Sequence, residues 1–241
     1  MNEYEKTKDE AAQLGQDVGT KFDSGKSRWD LMPADVLLEL AKEFTTFKGL
    51  FDMECKLETW DEKMLFYYSN GMEATWNFWN GTNEVPFGAG VKKPLIFAAI
   101  SFINLLDLCL IYESEKRYKL LLNRNVMFAN EIPHTGAMHL MPYRVLNYLG
   151  DIYLYGCNKY DENNWRKGMS WGKIFAAFNR HSGQWHGGEM YDQESGMHHI
   201  GHSLWQLFAL RWFQKYKREY DDRWIIEESD MKTLGVMAST S

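Results

Sequence analysis

Groups that suit metal-assisted phosphate chemistry are concentrated in one stretch of the sequence, residues 181–202. Carboxylates are common ligands of Mg²⁺ and Mn²⁺, and imidazole suits Mn²⁺ or Zn²⁺. A short turn that carries carboxylates between two helices can bring such groups to one ion, which polarises a phosphoryl oxygen and activates water. The pattern therefore predicts a site for Mg²⁺ or Mn²⁺ with five candidate ligands: Glu189, Asp192, Glu194, His199 and His202.

Two predicted helices must position these groups. The spacing of apolar residues predicts one helix over about 171–186 and another over about 197–219, with a polar turn between them. His199 and His202 are three residues apart, so they share one face of the second helix, and Gln206 continues that face. The second helix is therefore predicted to pack with its apolar side and to present imidazoles with another.

Each group also has a purely structural interpretation. The three carboxylates are equally typical of a solvated turn, and the two histidines of a helix surface or a satisfied core. His181 lies on the apolar stripe of its helix with Ile174 and Phe178, so it fits a packed core position as well as a catalytic one. The joint occurrence of these groups within one stretch favours a site.

Phosphate chemistry also requires positive charge near the phosphates. Candidate cations lie both beside the cluster and far from it in sequence: Lys21, Lys26, Arg28, Lys159, Arg166 and Arg180.

Composition excludes several classes of protein. The net charge of −6 disfavours nonspecific binding to nucleic acid, which needs a basic surface. Three cysteines without metal-ligand spacing indicate a reducing compartment. The absence of a His-Asp dipeptide disfavours an HD-type phosphohydrolase, and the absence of Pro-Cys-x-x-Cys removes the zinc deaminases.

One apolar segment, residues 95–112, is long enough to cross a bilayer. Asn104 and Asp107 lie inside it, and an Asp in the middle of a membrane costs roughly 2.5–3.5 kcal/mol on insertion scales. A helix buried inside the protein is therefore the favoured interpretation, and a membrane-associated subunit is the alternative.

The order of segments indicates a helical domain that is interrupted by an insertion. Leu31-Met32-Pro33 and Leu140-Met141-Pro142 each lead into a helix with the same apolar stripe, although a chance similarity would look the same. Residues 69–92 look irregular and residues 94–123 look helical. The predicted parts are an N-terminal arm (1–20), a catalytic helical domain (21–44 and 139–220), an accessory insertion (45–138) and a C-terminal tail (221–241).

Two blocks of the chain resemble the phage dATP/dGTP diphosphohydrolase family, a branch of the all-α MazG-like nucleotide pyrophosphohydrolases. The first block, residues 21–44, carries Lys21, Asp23, Gly25, Lys26, Arg28, Asp30, Leu31 and Pro33. The second block, residues 140–213, carries Gly156, Lys159-Tyr160, Asn164-Trp165, Gly168, Arg180-His181, Gly188-Glu189, Asp192, Glu194-Ser195-Gly196, His199, His202 and Trp205.

The resemblance implies a mainly α fold, a MazG-like helical bundle with a mostly helical or irregular accessory insertion. It also implies hydrolysis of a purine deoxynucleoside triphosphate to monophosphate and pyrophosphate, with divalent metal on the phosphates. The catalytic residues would then be His181, Glu189, His199 and His202. The substrate-binding residues would be Lys21, Asp23, Lys26, Arg28, Lys159, Asn164, Trp165 and Arg180.

Relatives of this type usually carry Glu-x-x-Glu on one helix and Glu-x-x-Asp on the next. This chain has Glu189-x-x-Asp192 and then His199-x-x-His202, so either histidine could act as a general base or as a hydrogen-bond donor to phosphate. The expected setting is the cytoplasm of a phage-infected host, with a purine nucleotide as ligand, self-association into a homo-oligomer, and no nucleic acid or membrane partner. The alternative is a catalytically degenerate phage protein that binds a nucleotide or another protein.

Overall fold

The computed structural model describes residues 27–44, 48–82, 93–118 and 141–225, and these residues form a mainly α protein. They contain seven α-helices: α1 Ala34–Glu43, α2 Lys48–Glu54, α3 Trp60–Trp79, α4 Pro94–Tyr118, α5 Tyr143–Lys159, α6 Trp171–His186 and α7 His199–Tyr216. Three short 3₁₀ turns cover Trp29–Leu31, Asn164–Lys167 and Arg218–Tyr220. Within the described ranges the only β-type pairing is an isolated bridge between Tyr191 and His198.

The two Leu-Met-Pro motifs begin α1 and α5, as the repeat predicts. Pro33 and Pro142 are the N-cap residues, where the missing N–H of proline costs nothing. The matching apolar stripes are buried in both helices: Val36, Leu37 and Leu40 in α1, and Val145, Leu146 and Leu149 in α5.

The expectation of irregular structure from residue 69 onward is wrong as far as residue 79, because α3 continues to Trp79. Gly71 does not mark a turn. A Cβ placed there would lie 2.5 Å from the ring of Phe102, so this glycine lets α3 and α4 approach each other closely. Residues 83–92, the rest of the predicted irregular stretch, lie outside the described residues.

Helix α4 is the central core helix. Pro94–Ser114 has the length and hydropathy of a membrane span, but 89% of its apolar window is buried inside the protein. Two of its polar groups have partners: the Asn104 side-chain amide donates to the Ile100 carbonyl at 2.8 Å, and Asp107 forms an ion pair with Arg144 at 3.0 Å. This burial is that of the core helix of a soluble protein.

The described part of the predicted insertion shares one hydrophobic core with the rest of the chain. Helix α4 packs against α3, α7, α1 and α5. Buried residues of all these helices form a single cluster. The insertion is therefore in direct contact with the helices that carry the candidate site.

Helices α6 and α7 form an antiparallel pair that frames this site. At one end, the Trp171 indole donates to the Lys217 carbonyl at 3.1 Å. Near the other end, the hydroxyls of Ser182 and Ser203 are hydrogen-bonded at 3.0 Å. On the opposite side of α7, Gly201 allows a close approach of α5, because a Cβ there would be 2.6 Å from Ile152.

Candidate active site

The loop between α6 and α7 is held in one shape by its own backbone. The Asp192 amide donates to the Met197 carbonyl at 2.8 Å, and the His199 amide donates to the Met190 carbonyl at 3.1 Å. Gly196 closes the tip with a φ of +69°, a conformation that side chains disfavour. The loop thus returns Asp192 towards the start of α7.

Three imidazoles meet where α6 ends and α7 begins. The Nδ1 atoms of His181 and His199 are 2.9 Å apart, and the rings of His181 and His202 stack at 4.7 Å between centroids. Burial, together with neighbouring positive groups, lowers the pKa of His181 to about 4. Burial also lowers the pKa of His202, against the opposing effect of Asp192. Both rings are therefore neutral at pH 7 and have a lone pair to offer.

Asp192, Ser195 and His202 form a hydrogen-bonded chain. The Ser195 hydroxyl donates to Asp192 Oδ2 at 2.8 Å and is 2.8 Å from His202 Nε2. Because the serine proton is directed to the carboxylate, His202 must donate through Nε2, which leaves Nδ1 as the acceptor of the neutral ring. Burial would raise the pKa of Asp192, but the hydroxyl and amide of Ser195 outweigh it and hold that pKa below its usual value.

The described residues contain one group of side chains with the spacing of a metal site: His181, Asp192 and His199, whose ligand atoms lie within 4.8 Å of one another. Two nitrogens that each lie about 2.1 Å from one ion at a right angle are about 3.0 Å apart. The two Nδ1 atoms of His181 and His199 are hydrogen-bonded to each other at 2.9 Å, a separation that is also compatible with this arrangement. The donor set of two imidazoles and one carboxylate therefore suits a divalent cation.

Glu189 lies on the far side of His199. Its Oε2 atom is 3.8 Å from His199 Nε2, and its Oε1 accepts a hydrogen bond from the Gln193 side chain at 3.0 Å. Within the described residues, His199 Nε2 is buried without a hydrogen-bond partner. Glu189 is thus placed to orient His199.

A cavity of about 710 Å³ opens beside the imidazoles. Its volume suits a ligand of nucleotide size. Eight of the residues predicted from the sequence line it: Lys159, Asn164, Trp165, Arg180, His181, Asp192, Glu194 and His202. Of the other predicted residues that the structure describes, none lines the cavity: His199 is fully buried behind His181, and Glu189 and Arg28 are absent from the wall.

The cavity wall also has an aromatic part. Trp165 packs against Tyr153 at 5.9 Å and against Trp205 at 6.2 Å between centroids. The Tyr153 hydroxyl and Gln206 Oε1 are buried, and neither has a hydrogen-bond partner among the described residues. Flat apolar faces beside polar atoms that lack partners are typical of a pocket for a heterocyclic base.

The candidate cations differ in how far they are already paired. Lys159 forms an ion pair with Glu194 at the rim, and Arg28 bonds to Asp30 and, at 3.1 Å, to Glu162. Arg166 lies over the Trp165 ring at 5.3 Å. Arg180 lines the cavity beside His181, so it is the cation best placed for a phosphate.

The first sequence block reaches the cavity in part. The 3₁₀ turn Trp29–Leu31 packs against α5, and Leu31 lines the wall. Lys21, Asp23 and Lys26, which the sequence predicts to bind substrate, lie outside the described residues. The roles of the Leu-Met-Pro helices therefore differ, since α5 forms a wall of the cavity and the first block supplies its edge.

Sequence reasoning gave Ser195 no role, although this residue connects Asp192 to His202. The signal was present, because Asp followed three residues later by Ser is the pattern of a carboxylate-capped turn. It gave no role to Tyr153 either, because an aromatic residue on an apolar helix stripe predicts only core packing.

Residues 132–223 match the model of a family described as dATP/dGTP diphosphohydrolase, N-terminal. The match covers α5, α6, α7 and the loop between α6 and α7, so it includes all the residues named above as candidate metal ligands. No curated protein and no solved structure matches the chain.

Proposed function

We propose that this protein hydrolyses a purine deoxynucleoside triphosphate to its monophosphate and pyrophosphate, because residues 132–223 match the model of a family described as dATP/dGTP diphosphohydrolase, N-terminal. The observation that carries the proposal is the convergence of His181, Asp192 and His202 on one wall of a cavity of about 710 Å³. The family match supports hydrolase activity in general. The substrate, the metal and the residue roles are our assignment.

Substrate binding would use both parts of the wall. The base would lie against the aromatic part, near Trp165 and Trp205, where the Tyr153 hydroxyl and the Gln206 amide oxygen lack partners among the described residues. A ligand group that pairs with those atoms would remove the cost of leaving them unsatisfied, about 1–3 kcal/mol each. The phosphates would then extend towards Arg180 and the imidazoles, where positive charge is available.

The metal ligands would be His181, Asp192 and His199, with Glu189 orienting His199. A bound Mn²⁺ or Mg²⁺ supplies positive charge to the phosphoryl oxygens and lowers the pKa of water. Two neutral nitrogens and one carboxylate favour Mn²⁺ over Mg²⁺, because Mg²⁺ prefers oxygen ligands. Glu194 would hold the Lys159 ammonium group at the rim of the cavity through their ion pair.

Proton transfer is assigned to His202. It lines the cavity, whereas His199 is fully buried and cannot contact a substrate. Its Nε2 is held by Ser195, so Nδ1 is the atom that would accept a proton from the attacking water. The water oxygen bonds to the α-phosphorus, the bond from that phosphorus to the bridging oxygen breaks, and pyrophosphate leaves.

The test is hydrolysis of dGTP and dATP, with dCTP and dTTP for comparison, in the presence of Mn²⁺ or Mg²⁺ and ¹⁸O-labelled water. We expect purine monophosphate that carries the label and unlabelled pyrophosphate, with higher activity in Mn²⁺. Orthophosphate as the first product, or label in the pyrophosphate, would contradict attack at the α-phosphorus.

The matched variants are Asp192→Asn, which should lose most of the activity, and Glu73→Gln, which should keep it, because Glu73 is an exposed carboxylate of α3 that is absent from the cavity wall. If the wild-type protein releases no monophosphate with either metal, the proposed activity is wrong. Calorimetry with dGTP would then show whether the protein is instead a nucleotide-binding relative without turnover.

A further inference from the structure

Glu113 contacts the candidate site from outside the segment that matches the family. It lies on α4, whereas the match begins at residue 132. Its two carboxylate oxygens lie beside the two segments of the α6–α7 loop that the Tyr191–His198 bridge joins. The Tyr191 hydroxyl donates to Oε2 at 2.6 Å, and His198 Nε2 lies 3.8 Å from Oε1.

The protonation of His198 follows from its other contacts. Its Nδ1 accepts a hydrogen bond from the Ile200 amide at 3.1 Å, which caps the start of α7. A nitrogen that accepts cannot carry the proton, so in the neutral ring the proton is on Nε2. His198 Nε2 is buried 3.8 Å from Glu113 Oε1, which is beyond hydrogen-bond distance, and it has no hydrogen-bond partner among the described residues.

The two residues that Glu113 contacts stand immediately before the two metal-ligand candidates of the loop. Tyr191 precedes Asp192, and His198 precedes His199. Tyr191 and His198 are also paired with each other in the isolated β-bridge, and their rings meet edge to face at 5.7 Å. Glu113 therefore holds one of the two bridged segments by a hydrogen bond to Tyr191 and lies beside the other at His198, at the point where each segment leads into a candidate metal ligand.

A third contact holds the same corner of the loop. The His198 amide donates to the Tyr148 hydroxyl oxygen at 2.6 Å, so α5 supports the backbone of His198 from the other side. Glu113 also lies close enough to Tyr148 to raise the pKa of that phenol, in addition to the effect of burial. Residues of α4 and α5 therefore both lie against His198, the N-cap residue of α7.

We infer that Glu113 is a positioning residue, by which the inserted segment sets the distance between Asp192 and His199 and thereby the affinity of the site for a divalent cation. This rests on the proposed metal site, but the positioning of the loop can be measured without metal. It gives the predicted insertion a specific part in the site: the described side chains of α4 do not line the cavity, and α4 acts instead through Tyr191 and His198.

The first measurement is Mn²⁺ binding by the nucleotide-free protein, followed by electron paramagnetic resonance of the free ion. Groups that orient metal ligands typically change affinity ten- to hundredfold when they are removed. Glu113→Ala should therefore raise the Kd for Mn²⁺ at least about tenfold. Glu113→Gln, whose amide oxygen can still accept from Tyr191, should recover much of the affinity, and Glu73→Gln should leave it unchanged.

The second measurement is hydrogen–deuterium exchange of the metal-free protein. The amides of Asp192 and His199, which bond to Met197 and Met190, should exchange faster in Glu113→Ala while the amides of α3 keep their rates. Tyr191→Phe removes a single hydrogen bond and keeps the ring, so it should show the same change to a smaller degree even if Glu113→Ala does not fold.

The outcomes separate this inference from the proposed function. The positioning role is wrong if the amides of Asp192 and His199 exchange at the wild-type rate in both Glu113→Ala and Tyr191→Phe. If Glu113→Ala does not fold, the wild-type rate in Tyr191→Phe alone is enough to exclude it. Neither result depends on enzymatic activity. If the wild-type protein binds no Mn²⁺ but the exchange changes as expected, the positioning of the loop stands and the metal assignment fails.

Discussion

The two ends of α7 differ in how far their polar side chains are paired. At the C-terminal end, Arg211 holds Glu39 with two hydrogen bonds, of 2.9 and 2.5 Å, and Lys215 holds Asp35 at 2.6 Å. At the N-terminal end, three imidazoles are packed against one another, and His199 Nε2 has no hydrogen-bond partner among the described residues.

This difference separates a stabilising arrangement from one suited to binding. Paired charges contribute to stability and offer nothing to a ligand. Buried groups without partners cost free energy in the empty protein, and a ligand that pairs with them recovers that cost. Substitutions at the C-terminal end should therefore affect folding, whereas substitutions at the N-terminal end should affect activity.

The largest expected effect is on activity and comes from Asp192→Asn. Loss of a metal ligand should cost more than the ten- to hundredfold that is typical of groups that only orient one, so kcat/KM should fall by at least about 100-fold. The amide oxygen can still accept from Ser195, so the free energy of unfolding of the metal-free protein should change by less than about 1 kcal/mol. Steady-state kinetics and urea titration measure the two quantities.

A loss of stability as large as the loss of activity would show that the N-terminal end of α7 is a folding element like the C-terminal end. The variant keeps the shape of the side chain and removes only its charge. For this reason, unchanged kcat/KM at saturating Mn²⁺ would exclude Asp192 from the metal site.

The next effect is on stability and comes from Glu39→Gln. Both members of the Arg211–Glu39 pair are largely buried, with side chains 17% and 16% exposed, and Lys93 also lies 3.4 Å from Glu39. Breaking such a pair leaves a half-buried guanidinium without its counter-charge. Because the cost lies between those of exposed and buried pairs, we expect about 2 kcal/mol in urea titration at pH 7. The kcat/KM of the folded protein should stay within twofold of the wild-type value.

A second test is the pH dependence of the difference in unfolding free energy between the wild-type protein and Glu39→Gln. Burial would raise the pKa of Glu39, but Arg211 and then Lys93 outweigh it and hold the pKa below its usual value. A lowered folded-state pKa gives stability that is present above the unfolded-state value, about 4.3, and is lost as the pH falls through the folded-state value. The difference in unfolding free energy between wild type and Glu39→Gln should therefore become smaller below about pH 4. A gap that is constant from pH 7 to pH 3 would mean that packing, and not charge, carries the effect.

The same contrast explains what could be predicted from the sequence. Helices α1, α5, α6 and α7 follow from apolar periodicity and from the residues that begin them, because these signals are local. The end of α3 was missed because Gly71 serves a contact with Phe102, and a glycine that permits packing looks like one that permits a turn. Of the eight cavity residues, type and spacing indicated His181, Asp192, Glu194 and His202, and the need for positive charge indicated Lys159 and Arg180. Asn164 and Trp165 came from the family resemblance.

The inner arrangement of the site depends on contacts between distant residues. The sequence treats His199 and His202 alike, but crowding at the start of α7 buries the first against His181 and leaves the second on the cavity wall. The Tyr191–Glu113 hydrogen bond joins residues 78 positions apart. No local pattern contains this information, so the part that α4 plays could only be read from the fold.

The smallest expected effect comes from Ser195→Ala and tests how finely the N-terminal end is adjusted. The hydroxyl donates to Asp192 and accepts from both His202 and the Met197 amide, so its removal leaves three groups to find water instead. The cavity is open at this point, because Asp192 and His202 both line it, and water can replace most of the lost bonds. We therefore expect a fall in kcat/KM of roughly fivefold, about 1 kcal/mol in barrier height, without a comparable change in unfolding free energy.

Ser170→Ala, at the start of α6, is the matched control. The Ser170 hydroxyl also bonds to a carboxylate, that of Asp222, but it lies at the other end of the α6–α7 pair. It should lower stability and leave kcat/KM unchanged. If the two serines behave alike, hydrogen bonding to a carboxylate stabilises both ends in the same way, and the division of α7 into a binding end and a folding end is wrong.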